Sequence, residues 1–360
     1  MTQLFIERTG LVTSLGHGVR ESAAAARAGI VRPDTIDGIA GFDPEEMQVP
    51  LPCHPVRNLT DGFEQTGRWL QLALAAVGDC LRASEDGPAP DARAKTALVL
   101  VLPTIDVDRF GWPEDQVPAI VQSSLVEPLR ALTDLPLPCE PEWVFQGSGG
   151  TALALAKADE LTRSGKIERV LVLAVDSWLD TTSLMVLEQA ERLKGPESPA
   201  GLMPGEAAAC VCVSGQSGEG LPSITGFHHA STGFLPLESE SDVVPTAQRL
   251  GTALGSQMAP SIDPESITQM YSDVNGEEWR SHTHGTALVK ANETADMDRV
   301  TTVFPAASFG DIGAVHALAS VCLFEQEVAR GYGSGGAGLV LAAGEDGTVS
   351  SISLGRAPSS

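Results

Sequence analysis

Two patterns of apolar and polar residues recur along the chain and predict its secondary structure. Residues 96–102 and 169–175 are continuous apolar runs, which are typical of strands buried on both faces of a sheet. Residues 67–83 place apolar side chains three and four positions apart, as an amphipathic helix does. Residues 143–146 predict a short strand that turns sharply at the glycines after it and leads into a helix over 151–164. Strands that alternate with helices in this way predict an α/β fold.

The same alternation appears at both ends of the chain. Strands are predicted over 5–16, 267–274 and 338–343, the last of them terminal, and helices over 20–28 and 314–330. A Gly- and Ser-rich stretch at 214–220 separates the two series. We therefore expect one duplicated unit, with residues 1–214 as its first half and residues 221–360 as its second half.

Acidic residues dominate the charge of the chain and narrow its possible partners. The 47 Asp and Glu residues against 23 Lys and Arg give a formal net charge of −24. Such a charge repels phosphate backbones and anionic lipids, so we expect no nucleic-acid or membrane partner. The sequence opens without a basic and apolar leader, and no run approaches 18 apolar residues, so a cytoplasmic location is expected. Its cysteines are scattered without a C-x-x-C pair, which argues against a disulfide framework or a zinc site.

Several short motifs stand in an order that is known from one protein family. They are TGLVTSLGHG at 9–18, ALALA at 152–156, RSG at 163–165, VLVLAVDS at 170–177, GLMPGEAAA at 201–209 and GYG at 331–333. Together they resemble the β-ketoacyl synthase branch of the thiolase superfamily over nearly the whole chain. The resemblance implies the thiolase fold, in which two similar α/β halves stack as a five-layer α-β-α-β-α sandwich. It also implies a homodimer, or a heterodimer with a ketosynthase-like protein.

The positions that carry catalysis in that family are all altered here. Alignment on the motifs places Gln146 at the nucleophilic cysteine, Glu277 and Asp311 at the two histidines, and Ala306 at the lysine. An amide is not a nucleophile, so no acyl-enzyme is expected at Gln146. An ionised carboxylate accepts hydrogen bonds only and repels a developing enolate. The family's condensation is therefore not expected.

Three functions are compatible with this altered site. Residues 273–280 (DVNGEEWR) and 309–314 (FGDIGA) resemble degenerate synthase-like proteins that accompany secretion-effector genes, including type VI secretion clusters, which implies a partner or adaptor protein. A chain-length-factor-like subunit paired with an active ketosynthase is the second hypothesis. The third is an acyl-thioester transferase or hydrolase that uses Gln146, Glu277 and Asp311. No cofactor is implied by any of them.

Other residues near the motifs have both a functional and a plain structural interpretation. Ser148 lacks the G-x-S-x-G spacing of a hydrolase nucleophile, so a tight turn explains it better. With Phe309 and Tyr332, which lies in the turn that resembles the family's gatekeeper, Ser148 is expected to line the pocket. His282 and His284 are expected in a surface loop and not on a metal. Trp143, Trp178 and Trp279 fit a dimer interface or pocket lining about as well as ordinary core packing.

Overall fold

Twelve strands and eleven helices make up the part of the chain that the computed structural model describes, residues 3–356 apart from 83–94, 134, 136, 217–220, 238–242, 259–265 and 333–335. The strands are β1 (Leu4–Val12), β2 (Asp34–Phe42), β3 (Gln48–Cys53), β4 (Thr96–Leu102), β5 (Glu142–Phe145), β6 (Arg169–Ser177), β7 (Glu206–Ser214), β8 (Pro222–Ser231), β9 (Ile267–Ser272), β10 (Thr301–Val303), β11 (Ala337–Ala343) and β12 (Thr348–Arg356). The helices are α1 (Val19–Arg27), α2 (Thr66–Leu81), α3 (Val107–Phe110), α4 (Val117–Val121), α5 (Glu127–Thr133), α6 (Thr151–Arg163), α7 (Thr181–Gln189), α8 (Val243–Met258), α9 (Glu278–Ala291), α10 (Ala306–Phe309) and α11 (His316–Arg330). None of these described helices is long and apolar enough to cross a bilayer.

One mixed sheet of ten strands has the order β10-β9-β11-β12-β8-β1-β7-β6-β4-β5. When the five sheet strands of each half are numbered in chain order, both halves have the order 3-2-4-5-1 from the outer edge inward. In each half the last strand, β7 or β12, is antiparallel to both of its neighbours. The two halves meet through a short ladder between β1 and β8, in which Leu4 pairs with Ile224 and Phe5 with Ser223. The second half therefore repeats the topology of the first.

Successive residues of each strand face different layers, because side chains alternate across a strand. In β4, Val99 and Val101 point into the central core with α6 and α11, whereas Leu98 and Leu100 pack under α2. In the second half, Leu339 of β11 packs with α8 and α9 on the outer face. Helices thus lie outside both sheet halves and between them. The predicted five-layer α-β-α-β-α arrangement is confirmed.

Two of the predicted elements differ from the structure. The strand predicted as terminal, β11, is followed by β12, which pairs with both β11 and β8. The prediction of a surface loop at His282 and His284 is wrong, because both residues lie within α9. The Gly- and Ser-rich stretch 214–220 begins at the end of β7, and its residues 217–220 lie outside the described part of the chain.

Candidate functional site

Gln146 occupies the elbow between β5 and the single 3₁₀ turn, Gly147–Gly150, that leads into α6. The turn packs tightly on β12, since a Cβ at Gly149 would stand 2.9 Å from the side chain of Thr348. The side-chain amide of Gln146 is engaged at this elbow by a neighbouring histidine. Its Oε1 lies 2.9 Å from Nε2 of His229 on β8, a distance that fits a hydrogen bond donated by the imidazole.

Glu277 immediately precedes α9 and is held by a partly buried arginine. Arg192 donates from Nε to Oε1 at 2.7 Å and from Nη2 to Oε2 at 3.1 Å, and the same Nη2 donates to Glu345 Oε1 at 2.6 Å. A two-bond arginine–carboxylate pair is among the strongest polar contacts in proteins. Burial acts to raise the pKa of Glu277, but the charge and hydrogen bonds of Arg192, with Arg280 nearby, hold that pKa below its usual range. Glu277 is therefore an anion.

Asp311 lies in the loop between α10 and α11 and is also surrounded by donors. Its Oδ1 accepts from the backbone N–H of Gly313 at 2.7 Å and from the indole of Trp178 at 3.3 Å, and it lies 3.5 Å from Nε2 of His316. Burial opposes ionisation of Asp311, yet His316, Arg280 and the neighbouring donors hold the pKa of this carboxyl far below its usual range. Asp311 is thus a second buried anion.

Asn275 brings these two carboxylates into one network. Its side-chain nitrogen donates to Glu277 Oε2 at 2.9 Å and also to Asp311 Oδ2. Its own side-chain oxygen accepts the backbone N–H of Glu277 at 3.0 Å, which orients the amide. Glu277 and Asp311 therefore meet through one amide group, with both carboxylates acting as acceptors.

A second ion pair lies beside this network and is joined to it by Trp178. The guanidinium of Arg109 stands 3.7 Å from the centre of the Trp178 ring and donates to Asp176 Oδ1 at 2.7 Å. Arg192 approaches the same ring at 5.8 Å. Cations over a tryptophan face are attracted by its ring quadrupole. The indole thus contacts both arginines and donates to Asp311, which links the two ion pairs.

The residues expected to line the pocket have different environments. Ser148, 3% exposed, lies within hydrogen-bond distance of Ala343 O at 2.9 Å and of Asp273 Oδ2 at 3.2 Å. Phe309 and Ala306 are buried at the two ends of α10, next to the Asp311 loop. Tyr332 is not at the site: it is 54% exposed beyond the end of α11, with Arg27 stacked over its ring. The gatekeeper role of Tyr332 therefore stays a prediction, and Gly333 of the same motif lies outside the described residues.

The loop between β11 and β12 lies next to the candidate site. Its first residue, Gly344, lies close to the carbonyl of Gln146, and Glu345 pairs with Arg192. No sequence signal pointed to this loop, to Arg109 or to Arg192, whereas Asn275 lies within the quoted motif at 273–280. Arg280 belongs to the quoted motif, and the structure pairs it with Asp273 at 2.5 Å. Within the described residues, no group of three or more His, Cys, Asp or Glu side chains is arranged to hold a metal.

Solved structures of ketosynthases share this architecture along the entire chain. No protein-family model and no curated protein matches the sequence. The ishigamide ketosynthase/chain length factor is 16% identical with a TM-score of 0.70, covering 99% of this chain and 100% of that one. Another match is the type II polyketide ketosynthase AntDE in complex with its acyl-carrier protein AntF, at 13% identity and a TM-score of 0.73. A β-ketoacyl synthase from Burkholderia phymatum STM815 matches at 14% identity and a TM-score of 0.68. Both alignments cover 99% of this chain and 100% of the other chain. The chain therefore has the ketosynthase form of the thiolase fold.

Proposed function

We propose that this protein is a non-condensing partner subunit with a ketosynthase fold, which acts through protein contacts and not through acyl chemistry. One observation carries the proposal. The two positions that match the family's histidines hold buried, ionised carboxylates, fixed by Arg192 on one side and by the donors around Asp311 on the other.

The electrostatics of this network oppose the chemistry of condensation. A decarboxylating thioester develops negative charge, which a catalytic site must meet with hydrogen-bond donors. Glu277 and Asp311 would bring two negative charges to that place, and their lowered pKa values keep them from becoming donors near neutral pH. Gln146 adds an amide that cannot attack a thioester. Each matched position thus lacks the property that the reaction needs.

The acyl-transferase or hydrolase alternative is less well supported by the same contacts. Its best nucleophile would be Ser148, the hydroxyl nearest the elbow. That hydroxyl is buried and lies against Ala343 O and the carboxylate of Asp273. The same Asp273 oxygen already accepts hydrogen bonds from Arg280 and from the backbone N–H of Ala343, so it is occupied by other donors.

The edge of the sheet offers a surface for a partner. β5 pairs with β4 on one side, and it ends the sheet among the described residues. An open strand edge presents unpaired backbone groups that pair readily with another chain. Trp143 and Phe145 on this strand stack at 6.4 Å between ring centres and are both partly exposed. Large aromatic side chains are frequent anchors of protein interfaces.

A chain-length-factor-like subunit is the second candidate, since one of the matched structures is described as a ketosynthase/chain length factor. In that case the partner is an active ketosynthase, in a heterodimer. An adaptor in a secretion-effector cluster would instead bind a secretion effector or a second copy of itself. Both versions place the protein in the cytoplasm.

Acylation by a thioester tests the absence of condensing chemistry. The purified protein is incubated with radiolabelled malonyl-CoA and acetyl-CoA, alongside an active ketosynthase, and covalent label and carbon dioxide release are measured. We expect neither from this protein. We also expect Gln146→Cys to remain inactive in condensation, because Glu277 and Asp311 are unchanged. Label on any residue of the wild-type chain, or malonyl decarboxylation, would contradict the proposal.

Assembly through β5 tests the partner role separately. Light scattering is measured on the protein alone and after co-expression with any ketosynthase whose gene is found beside its own. We expect a dimer in one of the two cases, and we expect Trp143→Glu to abolish it. Val289→Glu is the matched control, because Val289 is 71% exposed on α9, away from β5. A monomer in every mixture, or a dimer indifferent to Trp143→Glu, would refute the use of this edge.

A further inference from the structure

A cavity of about 820 Å³ lies between α1, α11 and the β9–β10 edge of the second half. Its volume falls in the range of roughly 300–1,000 Å³ that is usual for small-molecule sites. None of the residues of the Glu277–Asp311 network lines it. Any ligand that it holds is therefore independent of the partner role proposed above.

Basic residues are concentrated at this cavity. Among the described residues that line it, Arg20, Arg27 and Arg330 are basic and Glu327 alone is acidic. In a chain with 47 acidic and 23 basic residues, this local excess of positive charge is opposite to the overall charge. Burial raises the pKa of the Glu327 carboxyl, whereas Gln269 and Arg27 act to lower it. The cavity is thus a place where an anion can approach an otherwise acidic protein.

One of the arginines at the cavity is already oriented. The guanidinium of Arg27 stacks over the ring of Tyr332 with 4.1 Å to its centre, and both side chains line the cavity. Stacking leaves the edge of a guanidinium available for paired hydrogen bonds to a carboxylate or phosphate. Because Arg27 and Arg330 are both exposed, they stand where the cavity opens to solvent.

The interior of the cavity combines apolar walls with one buried hydroxyl group, that of Tyr271. Ala23 and Leu323 contribute the apolar lining. Tyr271 is fully buried at the cavity, and its hydroxyl has no hydrogen-bond partner of normal geometry among the described residues, although Glu327 is its charged neighbour. Because this hydroxyl lies beside Glu327 without forming a well-aligned hydrogen bond, a polar atom of a ligand there would be stabilising.

We propose that this cavity binds an amphipathic organic anion. The acidic head, a carboxylate or a phosphate, is held by Arg27 and Arg330 at the mouth. The apolar body lies against Ala23 and Leu323, with the hydroxyl of Tyr271 available to a polar atom on it. The positive charge at the mouth favours such a ligand over a neutral one, and the apolar surface inside favours it over a fully polar one.

Titration calorimetry with three probes of one chain length tests the proposal: decanoate, decyl phosphate and decanol. We expect saturable binding of at least one of the two anions, and at least about tenfold weaker binding of decanol, because an ion-assisted hydrogen bond is lost. Tighter binding of decanoate or of decyl phosphate identifies the head as a carboxylate or a phosphate. No saturable binding of either anion, or equal binding of decanol, would overturn the proposal.

Variants locate the binding at this cavity. Arg27→Gln should weaken binding of the anion about tenfold, and Ala307→Trp, at an exposed lining position, should block it by filling space. Arg163→Gln is the control, because Arg163 is 67% exposed on α6 and does not line the cavity. Unchanged affinity in both Arg27→Gln and Ala307→Trp, with circular dichroism showing native folding, would place the binding elsewhere and refute the assignment.

Discussion

Removal of Arg192 is the sharpest perturbation of the buried network. Arg192→Met keeps much of the side-chain volume but removes the charge that faces Glu277, whose side chain is 7% exposed, and Glu345. Opposite charges about 4 Å apart contribute about 4 kcal/mol at an effective dielectric constant near 20. Loss of one member of a buried ion pair costs about 3–5 kcal/mol in other proteins. We therefore expect Arg192→Met to lower the free energy of unfolding by about 3–5 kcal/mol at pH 7.5.

The same variant should change how stability depends on pH. In the wild type the lowered pKa of Glu277 contributes stability above the unfolded value, about 4.3, and that contribution is lost as pH falls through the folded pKa. Without Arg192, burial dominates and raises the folded pKa of Glu277, so the variant loses stability as pH rises. The difference between variant and wild type should therefore be largest near pH 7.5 and smaller at pH 5.

Urea unfolding followed by circular dichroism at pH 7.5 and pH 5 measures both effects. Arg57→Met is the matched control, since Arg57 pairs with Asp34 at 2.6 Å but both side chains are more than 40% exposed. Exposed pairs contribute about 0–1 kcal/mol, so the control should change little. A loss below about 1 kcal/mol in Arg192→Met, equal at both pH values, would show that Glu277 does not depend on Arg192 and would refute the reasoning.

Three further changes test other parts of the fold by the same unfolding assay. Gly313→Ala should lower the free energy of unfolding by about 3 kcal/mol or more, because its φ of +51° is strained for alanine and the new Cβ would collide with the Asp176 carboxylate. Gly29→Ala is its control: φ is +67° and no atom lies within 4 Å of the new Cβ, so the loss should be about 1 kcal/mol. His54 is fully buried, and burial lowers its pKa from 6.5 to about 4. Between pH 6.5 and pH 4 the unfolded chain therefore binds a proton at this residue that the folded chain does not, so wild-type stability should fall by about 2 kcal/mol from pH 7.5 to pH 5. His54→Leu should remove this fall. Trp178→Phe keeps a ring under its arginines but loses the indole donor, and should cost about 1–3 kcal/mol. A Gly313→Ala variant as stable as Gly29→Ala, an unchanged pH slope in His54→Leu, or a neutral Trp178→Phe would each contradict the corresponding contact.

The fold could be predicted from the sequence where burial is uniform or periodic. β4 and β6 are buried along nearly their whole lengths, so their apolar runs identified them within a residue or two. β12 could not be found in this way, because it buries Ser350, Ser351 and Ser353, which in a sequence are typical of a loop. Its strand conformation is fixed by pairing with β11, which precedes it in the chain, and with β8, which lies far away in the chain.

The site was predictable only as far as the family alignment reached. The alignment pointed to Glu277 and Asp311, and in the structure both carboxylates accept hydrogen bonds from Asn275. Arg192, 85 residues before Glu277, carries no local signal, since a lone arginine in a sequence is usually on the surface. The charge state of the carboxylates depends on such distant partners, so the sequence could not determine it.

The buried ion pairs also limit how this site can change over evolutionary time. A single replacement of Glu277 by histidine would leave Arg192 with Glu345 as its remaining carboxylate. Introducing histidine at position 311 would remove the acceptor of Trp178 and Asn275. Each step is destabilising alone and is compensated only by a matching change elsewhere. A site with histidines at positions 277 and 311 would therefore require several simultaneous substitutions, whereas exposed residues outside the network can vary one at a time.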